Sequence, residues 1–204
     1  MTAGVATRPL SETVGPHSPA GARIALHAEG VSVLLDCAGG QLPSIVHWGA
    51  DLGDMADEHF DALAVADRSP NAPVLPDAVP HLAVLPEHWT GWTGRPGLSG
   101  SRAGRGWSPR FTTTRVTVDG REVTGLINAG AASVVVDAED PVAALGLRIT
   151  IELTAGGLVR SRAEVTNRDA EPYTVHDLVL AYPVPANARE ILDFAGRWGK
   201  ERTP

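Results

Sequence analysis

The chain has a single cysteine, Cys37, so no disulfide can close within it and no cysteine cluster can hold a metal. It has no run of lysine or arginine, and 17 basic residues against 24 acidic ones leave a formal charge of −7. A surface of that sign is repelled by nucleic-acid phosphates and by anionic lipid headgroups. Neither nucleic acid nor a membrane is therefore expected as a partner. No apolar stretch approaches the ~20 residues of a membrane-spanning helix, and the N-terminal region carries no apolar segment of signal-peptide length. With one thiol and no export signal, the expected compartment is the cytoplasm. Also missing are a Gly-x-Ser-x-Gly elbow, a P-loop and a Gly-x-Gly-x-x-Gly turn opening a helix, so the common hydrolase and nucleotide motifs do not apply. No cofactor is expected. Aromatic residues make up only 5% of the chain, which gives weight to where they fall.

What is present divides by texture. The 204 residues, 43% of them hydrophobic, are enough for one domain with a real core. Residues 1–21 contain Pro9, Pro16 and Pro19 among small and polar residues, and are expected to form a flexible tail because they offer little to bury. Residues 22–204 read as one β-rich domain. Short apolar runs at Arg23 to His27, Val31 to Asp36 and Leu42 to Trp48 are separated by Glu29-Gly30 and Gly39-Gly40, the punctuation of hairpins. In the stretch 49–88, Met55 to Val65 suits a short helix. The prolines at 70, 73, 76, 80 and 86 exclude an internal strand or a long helix, since each lacks a ladder donor.

The β signal is strongest beyond Phe111. Leu145, Leu147, Ile149, Ile151 and Leu153 alternate with less apolar neighbours, the period of a strand with one buried face. A second alternating strand, Val159 to Val165, follows across Ala155-Gly156-Gly157 and predicts a hairpin. Further strands are expected at Phe111 to Val118, Glu122 to Ile127, Ser133 to Asp137, Tyr173 to Tyr182 and Glu190 to Ala195. The first two of these meet at Asp119-Gly120, which favours a type I′ turn. The fold class is all-β: a two-sheet sandwich with at most one or two short helices.

Two segments carry the chemistry. His47, Asp51, Asp54 and His59 form the only dense set of candidate metal ligands, with Glu58 and Asp61 nearby, and in this acidic set Asp51, Asp54 and Asp57 recur at every third position. On a helix the three aspartates would share a face, but such clusters are usually solvated, and no metal is expected. Trp89, Trp92 and Trp107 lie among Gly91, Gly94, Gly97, Gly100, Gly104 and Gly106. Indole rings stack on the apolar faces of sugars, and glycine lets backbone approach a ligand. The same rings suit the plug of an open sandwich end. Arg95, Arg102, Arg105 and Arg110 are placed to pair either with the acidic set or with sugar hydroxyls.

Several motifs then occur in a recognisable order. They are His47-Trp48-Gly49, then Leu85-Pro86-Glu87 leading into Gly91-Trp92-x-Gly94-Arg95-Pro96-Gly97, then Arg160 to Asn167, and last Gly196-Arg197-Trp198-Gly199-Lys200-Glu201-Arg202. Over about residues 22–202 the chain resembles the N-terminal β-sandwich domain of glycoside hydrolase family 36 α-galactosidases, the melibiase group. It departs from many relatives around Gly94-Arg95-Pro96, where they carry an Asp and an aromatic residue before the Arg.

The resemblance implies a partial β-supersandwich, galactose-mutarotase-like, belonging to an enzyme that hydrolyses terminal α-galactosides such as melibiose and raffinose with retention. Retention needs two carboxylates flanking the glycosidic bond. In this family both lie on a (β/α)8 barrel that follows the N-terminal domain, so the chain is expected to be incomplete and inactive alone. By the same resemblance it contributes to a homo-oligomer and to the galactose pocket of a neighbouring subunit. The residues expected to touch substrate are Asp54, Asp61, Trp89, Trp92 and Arg95. A stand-alone carbohydrate-binding module is the alternative. An epimerase is disfavoured because no His/Glu pair sits in a supporting motif, and His47 is expected to pack in the core beside Trp48.

Overall fold

The computed structural model of the chain describes residues 21–67, 81–185, 188–190, 192, 195–198 and 200–203. The tail expected over 1–21 and the prolines at 70, 73, 76 and 80 lie outside these residues, except for Gly21. Of the strand expected at Glu190 to Ala195, residues 191, 193 and 194 lie outside them as well.

Strands β1 (Ala22–Ala28), β2 (Val31–Cys37) and β3 (Ser44–Ala50) form an antiparallel meander. Glu29 and Gly30 turn β1 into β2 at φ of 47° and 74°, the conformation that matches hairpin twist. Pro43 delays β3 to Ser44. After the helix α1 (Asp57–Ala66) and the short strand β4 (Leu98–Ser101) come β5 (Thr112–Val118) and β6 (Arg121–Glu122). Asp119 and Gly120, at φ of 47° and 77°, make the expected I′-like turn between them. The strand expected over Glu122 to Ile127 is broken. Gly125 takes φ of 73°, and the chain restarts as β7 (Leu126–Ala129), which leaves for the other sheet and pairs parallel to β1.

The remaining long strands are β8 (Ala132–Asp140), β9 (Leu145–Leu153) and β10 (Val159–Asn167). The hairpin expected over 145–167 is observed, with Ile149 opposite Ala163 and Leu153 opposite Val159. Strand β11 (Thr174–Leu178) pairs with β4, and β12 (Ala195–Arg197) with β13 (Lys200–Thr203). Trp198, at the tip of that last hairpin, is 96% exposed.

The two main sheets run β3-β2-β1-β7 and β10-β9-β8-β5-β6. They share one core: Ile24, Leu26, Val33 and Leu35 from the first belong to the same buried cluster as Val134, Val136, Ile149 and Ile151 from the second. The all-β, two-sheet sandwich is thus observed. The centre of the first sheet is buried on its other side too, where Ala25 and Leu34 meet Phe60 of α1 and Met55. Strands covered on both faces read as continuous apolar runs rather than alternating ones, which explains Ile24-Ala25-Leu26 and Val33-Leu34-Leu35.

Helix α1 is held from below by Arg23. Its guanidinium meets Asp57 at 2.6 Å and Asp61 at 2.5 Å, carboxylates one helical turn apart, and lies 5.9 Å from the Phe60 ring centroid. Phe60 is fully buried, and its truncation would leave an unfilled space between helix and sheet. Phe60→Ala is expected to cost about 3–5 kcal/mol, read as a lower denaturant midpoint.

Candidate functional site

The acidic segment is anchored at both ends. Asp51 accepts hydrogen bonds from the Ser32 hydroxyl at 2.6 Å and the Gly53 amide at 3.0 Å, and faces His27 Nδ1 at 2.9 Å. These contacts, the Ser32 bond foremost, hold its carboxyl down to about 2. Met55 is clamped by the Asn128 side chain on β7, which accepts from its amide at 2.7 Å and donates to its carbonyl at 2.9 Å. Asp54 sits exposed between these anchors, with no other described residue on its carboxylate. Asp61 is engaged by Arg23. The expected sharing of one helical face by Asp51, Asp54 and Asp57 does not occur, because the helix begins only at Asp57.

The tryptophan segment is a closed loop. The Gly97 amide donates to the Pro86 carbonyl at 2.7 Å, and a Cβ on Gly97 would stand 2.5 Å from Leu85 Cγ, so only glycine permits that approach. His88–Thr90 form a 3-10 turn ended by Gly91 at φ of 91°. Thr90 Oγ1 lies 2.9 Å from the carbonyls of both His81 and Glu87. The Trp92 indole folds over Gly94, where a Cβ would lie 2.4 Å from the ring, and its N–H donates to the Arg95 carbonyl at 2.9 Å. Arg95 reaches Asp177 of β11 at 2.8 Å.

The base of this loop holds two buried carboxyls. Glu87 is 3% exposed and Asp140 is 5% exposed. Glu87 Oε1 accepts the Phe111 amide at 2.8 Å, and Asp140 accepts the adjacent Arg110 amide at 2.7 Å. Asp140 also takes the amides of Val142 and Ala143 at 2.8 and 3.0 Å. The Arg110 guanidinium lies 4.5 Å from the Trp89 ring centroid, within cation–π range. Among the described residues, Glu87 Oε2 and the Trp89 indole nitrogen are both buried without a hydrogen-bond partner. Burial drives the Glu87 carboxyl up to about 7; Asp140 adds to the rise, while Phe111, Trp89 and Arg110 oppose it.

The structure therefore groups Trp92 with Arg95, and places Trp89 beside Glu87 and Arg110. Asp54 and Asp61 lie on the α1 side of the first sheet, with no hydrogen bond or ion pair to the tryptophan loop among the described residues. The arginines do not pair with the acidic set. Arg102 is buried instead against the Ala143 carbonyl and Asn167 at 2.7 and 2.6 Å, and Arg105 meets Glu171 at 3.0 Å. Of the three rings, Trp89 and Trp92 are half-buried, whereas Trp107 is 65% exposed beside a narrow cleft with Pro86, His88, Pro96 and Pro109.

His47 is half-exposed with Nε2 at 3.0 Å from the Ala50 carbonyl. It is satisfied locally but does not share the core with Trp48, because neighbours in a strand face opposite ways. Glu87 was not singled out as a site residue from sequence. Its signal was a lone acid closing the apolar run Ala83-Val84-Leu85.

Comparison with known proteins agrees with this architecture. Residues 41–204 match the family model for the glycosyl hydrolase family 36 N-terminal domain. An alpha-galactosidase of Escherichia coli is 31% identical over 162 residues, which is 78% of this chain and 20% of that protein. The crystal structure of a GH36 alpha-galactosidase from Geobacillus stearothermophilus, in complex with 1-deoxygalactonojirimycin, superposes with a TM-score of 0.59 at 12% identity. That match covers 78% of this chain and 24% of the other, and at such identity it speaks for the fold alone. The chain spans about a fifth of the length of the curated relative it matches.

The Glu87 carboxyl has a consequence for stability. Its folded value of about 7 lies above the ordinary 4.5, so its contribution is complete below pH 4.5 and is lost as pH rises through 7. Relative to Glu87→Gln, the wild-type chain is expected to lose roughly 3 kcal/mol between pH 4.5 and 7.5, measured by chemical denaturation at each pH.

Proposed function

The chain belongs to glycosyl hydrolase family 36 through its N-terminal domain, and on that basis we propose that it serves an α-galactosidase as a non-catalytic part. The match over residues 41–204 is the observation that carries this reading. The parent activity is retaining hydrolysis of terminal α-galactosides of the melibiose and raffinose type, in the cytoplasm, without a cofactor. Retention requires two accessible carboxylates about 5–5.5 Å apart. The buried pair in this chain, Glu87 and Asp140, is tied to backbone amides and does not meet that need.

The domain's own contribution is to assembly and to the galactose pocket of a neighbouring subunit. Asp54 suits sugar contact because its carboxylate is exposed between two anchored ends. Trp92 and Arg95 suit it because they form one rigid, half-exposed unit, with Asp61 and Trp89 holding the segments behind them. Support for assembly comes from β10, a nine-residue strand at the edge of its sheet, with exposed Val175, Leu178 and Val179 on and just after β11. Such edges and apolar patches favour pairing with another chain.

The alternative, a stand-alone carbohydrate-binding module, draws on the exposure of Trp107. A chromogenic α-galactoside and a tryptophan-fluorescence titration with galactose or raffinose separate the readings. No hydrolysis and no fluorescence response by the 204-residue chain are expected; saturable quenching lost in Trp107→Ala would favour the module instead. In sizing experiments the chain is expected to run larger than a monomer, and a monodisperse monomer with a sharp, high-temperature melt would count against the assembly role.

A further inference from the structure

Among the described residues, β10 is the one long, regular edge of the two main sheets. Of the other three edge strands, β6 and β7 are two and four residues long, and β3 is irregular where it pairs with β2. Strand β10 carries no proline, and its nine residues pair with β9 without a register shift, so the usual devices that blunt an edge are missing. The Thr154 amide donates to the Leu158 carbonyl at 2.9 Å and the Arg168 amide to the Ala144 carbonyl at 2.8 Å. These two bonds fix the alternation of the antiparallel ladder between them. Arg160, Arg162, Glu164 and Thr166 bond to β9, whereas Val159, Ser161, Ala163, Val165 and Asn167 direct their N–H and C=O groups away from it. Among the described residues no strand pairs with that outer row.

The outer face of the same sheet ends at this edge on a row of alternating charge. Asp137 of β8, Arg148 of β9 and Glu164 of β10 stand directly opposite one another on successive strands, the first two joined at 2.7 Å. The place beyond Glu164 therefore suits a cation. Arg162, on the same face of β10, meets Glu164 at 2.9 Å, and both side chains are exposed. We propose that β10 pairs antiparallel with β10 of a second copy of this chain, about a two-fold axis at Ala163. That register sets Arg162 of each copy opposite Glu164 of the other, so the row of alternating sign continues across the join in both directions.

The backbone agrees with the charges. With the axis at Ala163, the residues that exchange N–H···O=C bonds are Ala163 with its own copy, Ser161 with Val165 and Val159 with Asn167, all members of the outward row. An axis moved to Arg162 sets two guanidiniums face to face, and one moved to Glu164 sets two carboxylates so; like charges directly opposite are destabilising. On the inner face Val159, Ala163 and Val165 already pack against the shared core, and alanine at the axis holds nothing bulky between the strands. The inference rests on the assembly role proposed above, and names the strand, the register and the partner.

The test is sedimentation velocity of the 204-residue chain over a concentration series. The wild-type chain is expected to dimerise. Arg162→Glu and Glu164→Arg each set like charges against one another at both contacts, and each is expected to weaken dimerisation about tenfold. An equal mixture of the two variants is expected to recover it, because each copy then supplies the charge the other lacks. A wild-type chain that stays monomeric, single variants that associate as tightly as wild type, or a mixture that does not recover overturns the proposal. Should a charge variant fail to fold, Arg160→Cys and Thr166→Cys decide. These positions face each other in this register at a Cα separation of about 4.5 Å, within disulfide reach, and the native Cys37 is fully buried. With oxidised glutathione the two chains are expected to cross-link to each other and neither to itself; any other pattern overturns the register. Association that ignores charge reversal defeats this inference and leaves the assembly role standing on another surface, and no outcome touches the family match that carries the galactosidase reading.

Discussion

Burial of β1 and β2 on both faces is the constraint on which the rest of the structure depends. A sandwich normally asks its strands to be apolar on one side only. Here Ile24, Leu26, Val33 and Leu35 supply the shared core of the two sheets, while Ala25 and Leu34 leave an apolar outer patch. That patch has to be covered, and α1 covers it with Phe60. The cover requires a fixed approach angle, which the Arg23 bridge to Asp57 and Asp61 provides. Ion pairs with this exposure contribute little free energy by themselves; their value lies in orientation. The acidic segment before the helix inherits its position from the same arrangement, held by Asp51 on one side and the Asn128 clamp on the other.

In the tryptophan segment the problem is reversed. There the chain makes a loop that is half-buried yet short of regular secondary structure, and its backbone amides need acceptors away from water. Glu87 and Asp140 accept consecutive amides, those of Phe111 and Arg110. Asp140 is fully employed by three amides. Glu87 is not: among the described residues its second oxygen has no hydrogen-bond partner. Loop closure between Gly97 and Pro86, with Gly94 beneath Trp92, removes most of the remaining freedom. The residues proposed above for sugar contact, Trp92 and Arg95, therefore sit on a segment restrained at both ends.

How much of this was legible depended on the range of the interaction. Strands β8 and β9 were readable because each buries one face, and β10 because Val159, Ala163 and Val165 pack partly buried on the same core, which writes a period of two into the residues themselves. The turns at Glu29-Gly30 and Asp119-Gly120 were readable because positive φ selects residue type locally. Strand β7 was not, since its parallel partner is β1, near the other end of the domain, and four residues carry no periodicity. The pairing of Asp61 with Arg23, of Arg95 with Asp177 and of Arg110 with Trp89 was equally hidden: a charged side chain in sequence names no partner. Glu87 stood in a motif that names no partner for it until Phe111, Asp140 and Arg110 were brought around it.

By itself the sequence determined the all-β class, the long hairpins, the helix that covers the outer patch and membership of glycosyl hydrolase family 36. These follow from local patterns, either the alternation forced by the pleat or short motifs preserved in order. Tertiary structure decided which of the acidic and basic groups are free, which are spent on each other, and which are buried and titrate near neutrality. Desolvation and hydrogen bonding depend on atoms contributed by distant parts of the chain, so the state of Asp54, Asp61, Arg95 and Glu87 is fixed only once the two sheets and their end loops have packed.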